Sequence, residues 1–158
     1  LQTIWEASAR YIRRGYPLSV FDGAVQALHE RNIEVIAHQI IGLPDETVEM
    51  MVETTRHLGR LPVDGAKLHL LHVLRGTDLA QEYEAGRVKP LELDEYITIL
   101  VRCLAVLPPE VVIHRLTGDG AKRDLLAPLW SADKKRVLNA IRTRFELDGV
   151  MQGSALRA

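Results

Sequence analysis

His38-Gln39-Ile40-Ile41-Gly42-Leu43-Pro44-Asp45-Glu46-Thr47 decides the fold of this chain. The apolar residues upstream of it predict a strand over 33–41, and Gly42 and Pro44 then turn the chain into the acidic start of a helix. Near-continuous apolar character fits a strand covered on both faces, as parallel strands are. A strand whose C-terminal end opens into such a loop is also how an α/β barrel presents its chemistry. Gly42 serves either a positive φ or the close approach of a ligand to the backbone. By itself, a Gly-x-Pro turn marks only a strand-to-helix junction.

Working outward, a second strand over 66–74 ends at Arg75-Gly76-Thr77, and a third over 111–116 ends at Thr117-Gly118-Asp119-Gly120. Helices are predicted between them. The first spans 6–14. The second is capped by Ser19 and runs to Arg31, with Val20, Phe21, Ala24, Val25 and Leu28 on one face. A third starts at Asp45 or Glu46 and turns Val48, Met51, Val52 and Thr55 inward. A short helix covers 77–83. Residues 94–107 carry the clearest apolar stripe, including Tyr96, Ile97, Leu100 and Leu104, and Pro108-Pro109 ends it. A last helix spans 134–146. This alternation argues for α/β with mostly parallel strands. Three strands and a stub over 1–4 cannot close an eight-stranded barrel, so half a barrel or an open sheet is expected.

With 158 residues, 47% of them hydrophobic, the chain can bury a core. A net charge of −1 gives no overall pull toward nucleic acid or an anionic membrane, while leaving room for a local basic face. Cys103 is the only cysteine, which excludes an intramolecular disulfide. No run approaches the roughly 20 apolar residues of a membrane helix. The first residues have neither an initiator methionine nor the pattern of a signal peptide. A piece of a longer, cytoplasmic protein is therefore expected, with a small-residue tail over 149–158 that frays.

The candidate chemistry lies in the strands and their tips. Alternation puts Lys67 and His69 on one face with Leu71 and Val73, and His72 on the other, so His69 and His72 are poor joint ligands. His38, His69 and His114 could converge inside a barrel as a zinc site of a hydrolase, although no i, i+4 pair or nearby carboxylate supports it. The plainer reading makes them polar interior residues bonded to each other, with Lys67 requiring such a partner. Arg115 offers a fork of donors for a carboxylate or phosphate, and Asp119 an acceptor; the two could equally brace a glycine turn. Cys103 reads as a small buried hydrophobe, and Trp130 as a plug at the edge. Lys134, Lys135 and Arg136 open a helix against its dipole. They leave open a self-contained binding module that contacts RNA over 134–144.

Four strings, Leu1-Gln2-Thr3, Ile40 through Thr47, Lys67 through Thr77 and His114 through Gly120, together resemble the radical S-adenosylmethionine superfamily, and within it the YhcC-like bacterial Fe–S oxidoreductases. The resemblance runs in order over essentially the whole chain. It implies an α/β fold: the C-terminal half of a partial (β/α)6 TIM-like barrel over 1–120, with a helical extension over 121–158. It also implies S-adenosylmethionine and a [4Fe–4S] cluster held by three thiolates of a CxxxCxxC loop, with radical hydrogen abstraction as the cofactor's chemistry. Cys103 cannot replace that loop, so the chain alone is expected to be inactive. Carried over by position, Gln2 lies near the cofactor, Ile41, Gly42 and Pro44 pack on its adenine, and Leu74, Gly76 and Thr77 sit beside them. His69, Arg115 and Asp119 are assigned to the substrate side. No substrate is named by the resemblance, and the open edges of half a barrel predict self-association of the isolated chain.

Overall fold

Parallel pairing is what the buried, apolar strands require, and the computed structural model has it. Residues 1–118 and 122–156 are described. β1 (Ile36–Ile41) pairs in parallel with β2 (Gly65–Leu70), from Ile36 opposite Gly65 to Ile41 opposite Leu70. After the two-residue β3 (Val73–Leu74), β4 (Val112–Arg115) joins the other side of β2, also in parallel. The N-terminal segment lies along the free side of β1: the Gln2 amide donates to His38 O at 2.8 Å, and the Ile40 amide to Gln2 O at 2.9 Å. Chain order is therefore spatial order across four lanes, as in the wall of a barrel.

The pleat sorts side chains between two faces. Ala37, Gln39, Ile41, Ala66, Leu68 and Leu70 are buried beneath the helices, whereas His38, Ile40, Lys67 and His69 lie on the more open side. The helices are α1 (Glu6–Tyr11), α2 (Leu18–His29), α3 (Val48–Leu58), α4 (Asp78–Glu84), α5 (Leu93–Ala105) and α6 (Lys134–Asp148); α2, α3, α5 and α6 share the core with the covered face, whereas α4 packs on β3. α5 is central, flanked by α3 and α6. It opens on a capping box between Glu92 and Glu95 and buries Tyr96, Ile97, Leu100, Val101 and Leu104. Each such side chain contributes about 1.5–3 kcal/mol. Val137 and Ile141 of α6 complete the same core.

The structure corrects several expectations. The first strand starts at Ile36, not at 33, because Asn32 takes the left-handed conformation (φ 55°) and the Ile33 amide closes α2 onto Leu28 O. Pro17, not Ser19, precedes α2, with no side-chain cap, and of the expected apolar face Val20 and Leu28 are exposed while Val25 is buried. Thr47, not Asp45 or Glu46, caps α3: its hydroxyl accepts from the Met50 amide at 3.2 Å. The strand expected over 66–74 breaks after Leu70. β3 leaves the sheet and pairs antiparallel with β5 (Leu125–Ala127), which the sequence reading missed together with the short 3-10 helix Leu129–Ala132. The tail does not fray over 150–156. The amides of Gly153 and Ala155 donate to Leu104 O and Ala105 O, satisfying carbonyls at the end of α5.

Candidate functional site

The rim is built by the exit from β1. Gly42 stands at φ 91°, which decides between its two readings in favour of conformation. A Cβ there would also meet the Leu91 side chain at 3.0 Å, so protein rather than open space occupies that direction. Its amide points to Met51 Sδ at 3.1 Å, and Asp45 repeats the left-handed turn at φ 64°. Beside this loop opens a cleft of about 450 Å³ between the ends of α1 and α4, walled by Leu43, Pro44, Leu71 and Leu79. Arg13 and Asp78 form an ion pair at its lip.

The positions expected at the cofactor are distributed unevenly. Pro44 forms part of the cleft wall. Ile41 has its side chain wholly within the helix-side core and offers the rim only its carbonyl, which accepts from the Leu71 amide at 2.9 Å. Leu74 pairs with Leu125 in the small second sheet. Gly76 (φ 78°) has nothing within 4 Å of where a Cβ would stand. Thr77 caps α4, donating to Leu74 O at 2.7 Å and accepting from the Ala80 amide. Gln2 carries a buried Oε1 with no hydrogen-bond partner.

A basic row crosses the open face below the rim. Register sets His38 opposite Lys67, and Lys67 opposite Arg115. Strict alternation from Ile113 would turn Arg115 toward the helices. A β-bulge between those positions restores it to the row, a device used to re-aim side chains. His69 stands two residues beyond Lys67 and stacks on His38, ring centroids 5.2 Å apart and planes 18° off parallel. Its Nε2 is buried without a hydrogen-bond partner, so the reading of these side chains as mutually satisfied fails at that atom. Burial, then the charges of His38, Arg115, Lys67 and His72, lower the His69 pKa to about 4. His38 is lowered by burial first and then by Lys67, the chain's amino terminus and Arg115.

Neither His114 nor His72 joins the stack of His38 on His69. The His114 ring occupies the space over Gly65, where a Cβ would come within 2.6 Å of it, and the His72 ring packs against Gly118. Among the described residues no group of three histidine, cysteine or acidic side chains could hold a metal ion. Asp119 lies outside the described residues. The bulge was the signal missing from the sequence: neither the row nor the separation of His114 can be read without it.

The depressed histidines predict a pH effect. Unfolded, His69 takes up its proton near pH 6.5; folded, it does so only near 4. The unfolded state thus binds more protons between those values, so stability falls as pH drops through that window. Discounted for partial exposure, the loss from pH 7 to pH 5 is about 1 kcal/mol. Urea unfolding at the two pH values should show it, and His69→Gln should remove most of it.

Remaining candidates resolve simply. Cys103 is wholly buried, and burial pushes its thiol up to about 11. A single protonated thiol does not fit an iron–sulfur cluster that needs three thiolates, so this chain's own residues do not hold one. Trp130 donates from Nε1 to Leu91 O at 3.1 Å and tilts against Tyr96. The basic start of α6 is offset by Asp133, whose carboxylate accepts from the Arg136 amide at 3.0 Å. Among the described residues no helix is long and apolar enough to cross a membrane.

Three comparisons bear on this geometry. The Radical_SAM C-terminal domain matches residues 63–146, more than half of the chain. The Bacillus subtilis protein YtqA is 39% identical over 153 residues, covering 97% of this chain and 48% of its own length. Escherichia coli YhcC is 33% identical over 156 residues, covering 99% and 50%. The chain thus spans about half the length of these relatives. In three dimensions it resembles Elp3 of Methanocaldococcus infernus, solved with an N-terminal deletion, at a TM-score of 0.84 and 20% identity over 96% of this chain and 35% of that one. That likeness establishes the fold, an α/β wall of the Elp3 type.

Proposed function

Since the chain belongs to the radical S-adenosylmethionine superfamily, as its C-terminal domain, we propose that it forms the cofactor- and substrate-facing wall of an iron–sulfur enzyme whose cluster is held by residues outside this sequence. The observation that carries the reading is the wall itself: four parallel lanes in chain order, with the Gly42–Pro44 loop and its cleft at their C-terminal ends. The S-adenosylmethionine bound in such enzymes supplies hydrogen-abstracting radical chemistry.

This chain's own part is binding and orientation. Pro44 and Leu71 offer flat apolar surface to an aromatic base. The orphaned Gln2 Oε1 is an acceptor that a hydroxyl or amine would satisfy. Leu43, itself buried, adds to the apolar wall of the cleft.

The test uses the longer protein that carries the cysteine loop, reconstituted with iron and sulfide and reduced in the presence of S-adenosylmethionine. 5′-Deoxyadenosine should form with it, and none with the 158-residue chain. A longer protein that binds the cluster yet forms no 5′-deoxyadenosine would refute the proposal.

A further inference from the structure

We infer that His38, Lys67, Arg115 and His69 form a binding site for a phosphoryl group, carried by the substrate if the reading above holds. The argument begins with register. Three basic residues on three adjacent strands face one another, and at roughly 4.8 Å per strand the row spans about 10 Å. Like charges directly opposite in a sheet are destabilising. Here the backbone does not avoid the opposition; the bulge creates it, by bringing Arg115 back beside Lys67.

Among the described residues no carboxylate is one of the groups that shift the two histidines, and Lys67 and Arg115 act on both. The Lys67 side chain makes no ion pair or hydrogen bond among the described residues. The arrangement therefore gathers like charge around His69 and Lys67 that a bound anion would balance.

His69 adds direction. Its Nε2 is buried and without a partner, a costly state that a bound acceptor would relieve. Neutral at pH 7, the ring can present that nitrogen as an N–H donor. An ammonium, a guanidinium fork and an imidazole N–H would use up the roughly four lone-pair sites of one carboxylate, and they suit the more numerous oxygens and the negative charge of a phosphoryl group. Arg115 need not be otherwise idle, since its five donors allow more than one partner. The phosphoryl group could be terminal, as in a nucleotide or phosphorylated metabolite, or a diester within RNA.

Histidine Cε1–H resonances of the 158-residue chain, titrated at pH 7, test the inference. Inorganic phosphate stands for a terminal group, an oligoribonucleotide without terminal phosphates for the diester, and L-methionine for a plain carboxylate. Saturable shifts of His38 and His69 with either phosphoryl probe are expected, at least fivefold weaker in Lys67→Met. That variant should fold and melt no lower than the parent, since it relieves like-charge opposition; should it fail to fold, His69→Gln serves in its place. No saturable shift with either phosphoryl probe, equal affinity in parent and variant, or stronger binding of methionine than of phosphate would each overturn the assignment. None of these readings needs a cluster. Failure to form 5′-deoxyadenosine thus leaves the site standing and removes only its tie to a radical substrate.

Discussion

Tyr96→Ala is expected to lower the free energy of unfolding by about 3–5 kcal/mol. The ring is fully buried in the first turn of α5, where it tilts against Trp130 with centroids 5.7 Å apart. Its hydroxyl donates to Leu116 O at 2.7 Å, with Leu68 O a longer contact at 3.4 Å. One side chain thus ties a helix to the end of β4 and to β2. Burial, and to a smaller degree Cys103, raises the phenol pKa, so the hydroxyl remains a donor throughout the accessible pH range. Tyr96→Phe keeps the packing and removes the donor, at about 1–2 kcal/mol. Urea unfolding followed by circular dichroism separates the two contributions. Equal losses in both variants would mean that the hydrogen bond, not the cavity, dominates, contrary to this account. Because Leu116 directly follows Arg115, the phenylalanine variant should also loosen the end of the basic row.

Local chemistry was legible in the sequence and non-local pairing was not. Ile36 through Pro44 was readable because an apolar strand and a glycine–proline turn each act within a few residues, although the helix cap fell to Thr47 rather than to Asp45 or Glu46. The stripe of α5 was readable for the same reason. The break after Leu70 was not: residues 66–74 are uniformly strand-like, and what divides them is a second partner, β5, some fifty residues away. At the site, alternation correctly placed Lys67 and His69 together on β2, whereas the row with Arg115 depends on a bulge that no local pattern announces. Resemblance supplied the family, yet it could not say that the Ile41 side chain faces the core while only its carbonyl reaches the rim. The role of Arg14 was missed, because an arginine in the last turn of a short predicted helix reads as solvated surface.

Arg14→Ala should cost about 3 kcal/mol, since it removes buried hydrogen bonds from a charged group and leaves their carbonyl acceptors unsatisfied. The Arg14 side chain is 1% exposed. It donates to Thr3 O at 2.5 Å, to Tyr16 O at 3.0 Å and to Glu6 Oε1 at 3.0 Å, with its guanidinium 5.2 Å from the centre of the Tyr16 ring. Glu6 in turn accepts from the Leu18 amide at 2.9 Å. Alanine would strand buried carbonyls and leave that carboxylate without its cation. The damage should be directional, because Thr3 also donates to Glu46 Oε1 at 2.6 Å and so links the N-terminal lane to the rim. Hydrogen exchange should therefore accelerate first at the Gln2 and Ile40 amides, the two bonds that hold this lane to β1. Arg14→Lys separates charge from geometry: an ammonium restores the charge but cannot span two carbonyls and a carboxylate from one planar fork, so most of the loss should persist. Full rescue by lysine would show that charge alone holds the lane, and the fork geometry argued here would be wrong.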